Sequence, residues 1–400
     1  MRPVLLSAYT MTSCLGRGLA PTAAAMRSRK SGLAPCRFET VQLDTYVGEI
    51  AGIDSERIPE GLARFDCRNN RAAEAGLRQD GFMEAVTAAR ERHGPQRVGV
   101  FMGTSTAGIL QTELAYRRRD AADGSLPADF DYRRTHNTFS IAEFVRARLG
   151  LQGPCAAIST ACSSSAKAFA SAARLMEAGV IDAAVVGGVD TLCLTTLYGF
   201  NSLQLLSSQP CRPYDAGRDG ISIGEAAAFF LLERPGADAS GDAVALLGTG
   251  ESCDAYHMSS PHPEGLGARI AMQDALASAG LEPGEIDYVN LHGTGTPSND
   301  VAEDKAVHGL FGTSVPVSST KGMTGHTLGA AGAVEAVLSV LAITEGHVPG
   351  SPGTRVLDPN LRSAYEAAGG PRAIARVLSN SFGFGGSNCS LVFGRLRDAA

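Results

Sequence analysis

The chain of 400 residues has no Trp, and aromatic residues make up only 6% of it. Stacking platforms for single-stranded nucleic acid are therefore not expected, and a formal net charge of −6 argues against a general polyanion binder. C-x-x-C pairs are missing too. The nine cysteines (14, 36, 67, 155, 162, 193, 211, 253 and 389) are scattered and odd in number, which suits a reducing compartment and gives neither a disulfide framework nor a zinc motif. No uninterrupted apolar run approaches the ~18–20 residues of a membrane helix. The opening Met-Arg-Pro-Val-Leu-Leu reads as a first strand rather than an export signal. A cytoplasmic protein with no membrane and no nucleic-acid partner is expected. Lysine is also scarce: of 35 basic residues only four, at 30, 167, 305 and 321, are Lys.

Glycine is abundant, with 47 residues, and the hydrophobic share of 44% is mostly Ala, Val, Leu and Ile. Such a core is tiled by small side chains with many close backbone approaches. Short apolar runs alternate with Ala-rich helical stretches, the pattern of an α/β fold with buried strands. Strands are predicted over 4–8, 97–102, 156–160, 183–189, 227–232, 243–249, 288–291, 315–318, 375–381 and 389–393, and helices over 163–178 and 330–344. Each helix follows a strand and a turn bearing polar, reactive side chains, one reading Ser159-Thr160-Ala161-Cys162-Ser163 and the other running from Ser318 to His326. This repeat of pattern predicts two pseudo-symmetric lobes, 1–238 and 239–400, divided in the Pro/Gly/Asp/Ser-rich stretch 235–242.

Cys162 lies between a predicted strand and the first turn of a helix, where the helix dipole and unpaired backbone donors are expected to lower a thiol pKa. A strand-to-helix turn also pushes its side chain into a cleft. Alone, such a Cys is usually a small core residue. His292 follows a strand ending Asn290-Leu291, and His326 sits at a second strand-to-helix junction. Groups at the carboxyl ends of strands converge on one crevice, so the three could meet. Lys321, five residues before His326, could tune an imidazole as a compact cation, although a helix-flanking surface Lys is the plainer reading. The Gly-rich 380–388 segment could present a backbone N–H to an oxyanion, with Phe384 as a gate, or could be a simple hairpin. It lacks the spacing of a dinucleotide-binding loop.

In their order, the motifs STACSS (159–164), CRPYD (211–215), GISIGE (220–225), DAYHMSSP (254–261), HGTGTP (292–297), KGMTGHTLGAAG (321–332) and the 380–388 segment resemble the β-ketoacyl-acyl carrier protein synthases, decarboxylating condensing enzymes of the thiolase superfamily. The resemblance implies a thiolase-like α/β fold with two lobes in a layered α-β-α-β-α arrangement. It implies Cys162 as acyl acceptor, with the N–H groups of Cys162 and Phe384 as oxyanion hole. His292 and His326 would stabilise the enolate formed as malonyl thioester loses carbon dioxide, and Lys321 would support their electrostatics. Thr294 and Thr296 would hold the phosphopantetheine arm, and Thr106 would line the bottom of the acyl pocket. A polar cluster of Asn290, Glu303 and Asn388 could hold a structural monovalent cation; no catalytic metal or other cofactor is implied. The implied partners are acyl carrier protein and a second synthase subunit, identical or homologous. Carrier docking needs a basic patch, for which Arg64, Arg68, Arg71, 117–119 and 133–134 are candidates. A coenzyme A-dependent thiolase is the nearest rival enzyme, and a silent chain-length-factor subunit, which lacks the nucleophilic Cys, is the non-enzyme rival.

Overall fold

The computed structural model describes residues 1–236 and 239–399; the predicted division at 238/239 falls at residues 237–238, outside them. The main sheet contains β1 (Val4–Ser13), β2 (Val98–Gly103), β3 (Cys155–Ile158), β4 (Ala183–Asp190), β5 (Ala226–Glu233) and β6 (Val244–Cys253). It continues with β7 (Tyr288–Asn290), β8 (Pro316–Ser318), β9 (Ala364–Tyr365), β10 (Arg376–Gly383) and β11 (Ser387–Arg395). All ten predicted strands are present, most of them longer than predicted.

Strand pairing repeats itself in the two halves. In the first, β1 pairs antiparallel with β5 and β5 antiparallel with β4, after which β4, β2 and β3 run parallel. In the second, β6 pairs antiparallel with β11 and β11 antiparallel with β10, after which β10, β7, β8 and β9 run parallel. A short antiparallel contact, Val4 opposite Leu246 and Leu5 opposite Ala245, joins the halves into one hydrogen-bonded sheet.

Helices cover both faces, so strands such as β4 and β5 are apolar at nearly every position instead of alternating. Along β5, Ala227, Phe229 and Leu231 face an outer layer built from α1 (Arg68–Leu77), α2 (Phe82–His93) and α3 (Phe139–Arg148). Ala226, Ala228, Phe230 and Leu232 face inward, onto α4 (Ser164–Glu177). Two further helices, α5 (Leu266–Ala279) and α6 (Pro297–Phe311), cover the outer face of the second half. The last, α7 (Ala331–Glu345), lies beside α4 in the middle layer and touches strands of both halves. The order is helix, sheet, helix, sheet, helix.

The segment Leu328–Glu345 has the length and apolarity of a membrane span, with a mean hydropathy of 1.6, but 89% of it is buried between the sheet halves. Its apolarity reflects packing on two sides at once. The approach of α7 to α4 depends on Gly332, where an added Cβ would lie 2.6 Å from the backbone nitrogen of Ala166. We expect Gly332→Val to destabilise the fold by ~1–3 kcal/mol through overpacking, read as a lower urea midpoint.

Candidate active site

Between β3 and α4 the chain turns through Ala161, a non-glycine residue held at φ +54°. Such a left-handed residue makes the turn sharp and lifts the next side chain, Cys162, off the strand end. Ser163 Oγ donates to Thr160 O at 2.9 Å, and Thr160 N donates to Ser164 Oγ at the same distance, so the hydroxyls following the Cys brace the turn. The β10–β11 hairpin then packs against this elbow. A Cβ at Gly383 would lie 2.8 Å from Thr160 O, so only glycine permits the approach that sets the Phe384 N–H beside the Cys162 sulfur.

His292 leaves the end of β7 with its own N–H and that of Gly293 donating to Glu303 of α6, each at 2.7 Å. His326 is fixed through its backbone, which donates to Ser222 O at 2.7 Å and accepts from Gly224 N at 3.0 Å. His326 Nε2 lies 2.9 Å from Cys162 Sγ, and the two imidazole rings meet edge to face at 5.3 Å. Three residues 34 to 164 positions apart in sequence thus meet in one pocket, as the strand-end argument requires.

Lys321 is buried beneath them, its Nζ donating to Glu335 of α7 and to the carbonyl of His292, and lying 3.3 Å from His292 Nδ1. An ammonium donating to Nδ1 leaves the ring proton on Nε2. Glu335 was not singled out from sequence, although a lone acid inside an apolar helix was the available signal. Burial, joined by Lys321, holds both imidazoles well below the ordinary His range, and His326 adds to the effect on His292. Both rings are therefore neutral near pH 7.

The thiol differs from the sequence expectation. Burial pushes Cys162 up to about 12, opposed by Lys321 and the Phe384 N–H. From an ordinary 9.0 that displacement is on the order of 4 kcal/mol, against ~0.3–1 kcal/mol from a helix terminus, so desolvation outweighs the dipole. The resting site is a neutral thiol beside two neutral imidazoles. Thr294 and Thr296, hydrogen-bonded to each other at 2.9 Å, line the pocket over Cys162, and Phe200 packs 5.8 Å from Phe384 at its apolar wall.

The family model described as "Beta-ketoacyl synthase, N-terminal domain" matches residues 1–237, and its C-terminal counterpart matches 244–355. The chain belongs to the β-ketoacyl synthase family. It is 32% identical to the 3-oxoacyl-[acyl-carrier-protein] synthase 2 of Vibrio cholerae, with 99% of each chain covered. The enzyme of the same name from Staphylococcus aureus is also 32% identical, over 87% of this chain and 90% of the relative. Among solved structures, a chain of the complex of the ketosynthase ApeO with its chain length factor ApeC from Xenorhabdus doucetiae superposes with a TM-score of 0.89 at 37% identity, covering 98% of each chain. A β-ketoacyl synthase from Burkholderia phymatum gives 0.87 at 28% identity, covering 99% of this chain and all of that one.

In this β-ketoacyl synthase two expected residues lie elsewhere. Thr106 does not line the pocket; its hydroxyl donates to the buried carboxylate of Asp190 at 2.8 Å, together with Thr104 and the N–H of Gly329. Asn388 does not join Asn290 and Glu303. It stands two residues nearer the hairpin turn than the cluster, opposite Phe382, and donates to Asp254 at 2.8 Å. Asn380 takes the expected place and donates to Glu303 at 3.2 Å, with Ser390 donating to its Oδ1 at 2.8 Å. Asn290 Nδ2 donates to Glu335 O at 3.3 Å, and its Oδ1 has no partner among the described residues.

The basic candidates divide as well. Arg68 is only 4% exposed and forks onto Glu225 while also holding Glu49 and Asp54, a structural role. Arg71 is committed to Asp66, and Arg134 to Glu143 and the face of Phe65. Arg117 and Arg118 pair at the surface with Glu39 and Asp129, and Arg64 with Asp131. Arg119 and Arg133 are exposed with no ion-pair partner among the described residues.

Because the thiol is raised, its thiolate fraction grows with pH throughout the neutral range. We expect the rate of iodoacetamide alkylation of Cys162 to rise about tenfold per pH unit from 7 to 9. A plateau near pH 7 would mean a thiol already ionised in the resting enzyme.

Proposed function

We propose that this β-ketoacyl synthase transfers an acyl chain to Cys162 and joins it to malonyl-acyl carrier protein with loss of carbon dioxide, releasing a 3-oxoacyl-acyl carrier protein. The observation that carries the reading is the meeting of Cys162 Sγ with His292 and His326 in a buried pocket beside the Phe384 N–H.

In the first half-reaction the thiol proton passes to His326 Nε2, and the sulfur attacks the incoming thioester. The tetrahedral oxyanion takes hydrogen bonds from the N–H groups of Cys162 and Phe384, and the departing thiolate recovers the proton from His326. In the second, the malonyl thioester oxygen accepts hydrogen bonds from Nε2–H of His292 and, once the His326 ring proton has moved from Nδ1 to Nε2, from Nε2–H of His326. As the carboxylate leaves as carbon dioxide, the electron pair moves into the enolate these donors hold, each worth ~3–4 kcal/mol at the transition state. The α-carbon attacks the acyl carbonyl on Cys162, the C–S bond breaks, and the sulfur regains a proton from solvent. Neutral imidazoles suit this work because a donor already in place needs no reorganisation as charge develops. Lys321 fixes which nitrogen of His292 carries the proton, and Thr294 with Thr296 offers hydroxyls to the amide-bearing phosphopantetheine arm.

A structural monovalent cation would be held by Asn290 Oδ1, which has no partner among the described residues, and by Glu303, whose carboxyl burial pushes up to about 7. It would supply a balancing charge behind the His292 loop. The partners we infer are acyl carrier protein, docking near Arg64, Arg119 and Arg133, and a second synthase subunit. The edge strand β3 supports the second: Cys155–Ile158 is half-buried and, among the described residues, paired on one side only, an apolar edge that a neighbouring chain would cover. The likeness to a chain of a ketosynthase–chain length factor complex favours a homologous partner, and the presence of Cys162 makes this chain the active half.

Cys162→Ala is expected to abolish condensation. Cys162→Gln, whose amide carbonyl can occupy the oxyanion hole, is expected to keep releasing carbon dioxide from malonyl carrier without forming a carbon–carbon bond. Product masses and carbon dioxide release read the two steps separately; retained condensation in Cys162→Ala would sink the assignment.

A further inference from the structure

The catalytic triangle also has the donor set of a three-ligand metal site. Cys162 Sγ and one ring nitrogen from each of His292 and His326 lie within 4.8 Å of one another, with 2.9 Å between Sγ and His326 Nε2. Around a tetrahedral zinc ion, Zn–S near ~2.3 Å and Zn–N near ~2.0–2.1 Å set ligand atoms ~3.3–3.6 Å apart. Closing this triangle on an ion therefore needs side-chain shifts of about 1 Å, well within rotamer adjustment. One thiolate and two imidazoles leave a fourth position open to the pocket, the form of an accessible rather than a sealed site.

We propose that Cys162, His292 and His326 form a reversible inhibitory site for a soft divalent cation of the Zn2+ or Cd2+ class, and that Lys321 keeps its affinity low. On binding, the metal–sulfur bond forms as the thiol proton leaves to solvent, and His326 Nε2 supplies a lone pair along the direction it already points. His292 must move its ring proton from Nε2 to Nδ1 before it can ligate. Lys321 opposes that shift because its ammonium donates to Nδ1 from 3.3 Å, and its charge repels the ion. His326 Nδ1, for its part, has no hydrogen-bond partner among the described residues, so the outer support that strengthens a metal-bound imidazole is missing. The same ammonium that prepares His292 as a donor thus protects the triangle from capture by metal.

Coordination stands on the geometry alone, whereas inhibition rests on the reading of Cys162 as acyl acceptor. Zinc titrated against a chromophoric chelator is expected to show one Cys162-dependent equivalent in the purified chain, absent in Cys162→Ala and weakened tenfold or more in His326→Ala. Lys321→Met is expected to tighten it at least tenfold, with circular dichroism verifying the fold of each variant. Zinc should also slow iodoacetamide labelling of Cys162 and block its acylation by a small thioester. Unchanged zinc binding in Cys162→Ala, no binding by the wild-type chain, or no gain in Lys321→Met would overturn the proposal. Cys162-dependent binding with acylation undiminished would uphold the metal site and overturn instead the acyl-acceptor reading, and with it the inhibition.

Discussion

Burial of the Lys321 ammonium against the Glu335 carboxylate, directly under His292, is the constraint on which the rest of the site depends. Two charges can lie in an apolar interior only when paired and hydrogen-bonded, because each alone carries a desolvation cost of several kcal/mol. The pair brings together the turn carrying His326 and the central helix α7, which touches both halves of the sheet. Its positive end sets the tautomer of His292, and its net neutrality keeps the pocket low in charge. Neutral imidazoles and a neutral thiol follow from the same dryness.

That dryness demands very close packing. The middle layer is squeezed between two sheet halves, and two helices there approach closely enough that Gly332 meets the backbone of Ala166. Small residues permit that approach of helix to helix, in keeping with a composition rich in Gly and Ala, while Phe169 of α4 fills the space toward the sheet against Phe230 and Phe393. The same economy of volume operates at Gly383, where one missing Cβ brings an oxyanion donor beside the sulfur.

The α/β class, the strands, the two central helices and the meeting of Cys162 with His292 and His326 were legible because each rests on local chemistry: apolar runs bounded by turns, and reactive residues at strand ends. Glu335 escaped because a lone acid inside an apolar helix shows that a partner is needed without showing that the partner is Lys321. Asn388 and Asn380 differ by eight positions, and only the hairpin register, which sets Asn388 two residues closer to the turn, decides which one reaches Glu303. Among the arginines, charge alone did not separate Arg68, sunk against Glu225, from the exposed Arg133.

What the order of residues determined by itself was the layout of elements and the identity of the reacting groups, since periodicity and functional-group chemistry belong to the chain. The tertiary structure alone decided the protonation of those groups. A Cys at a helix start reads as acidified, because a dipole is a local property. Folding buries that sulfur between layers, where lost hydration outweighs the dipole and raises the thiol. Solvation depends on everything that surrounds an atom, and no stretch of neighbouring residues carries that information.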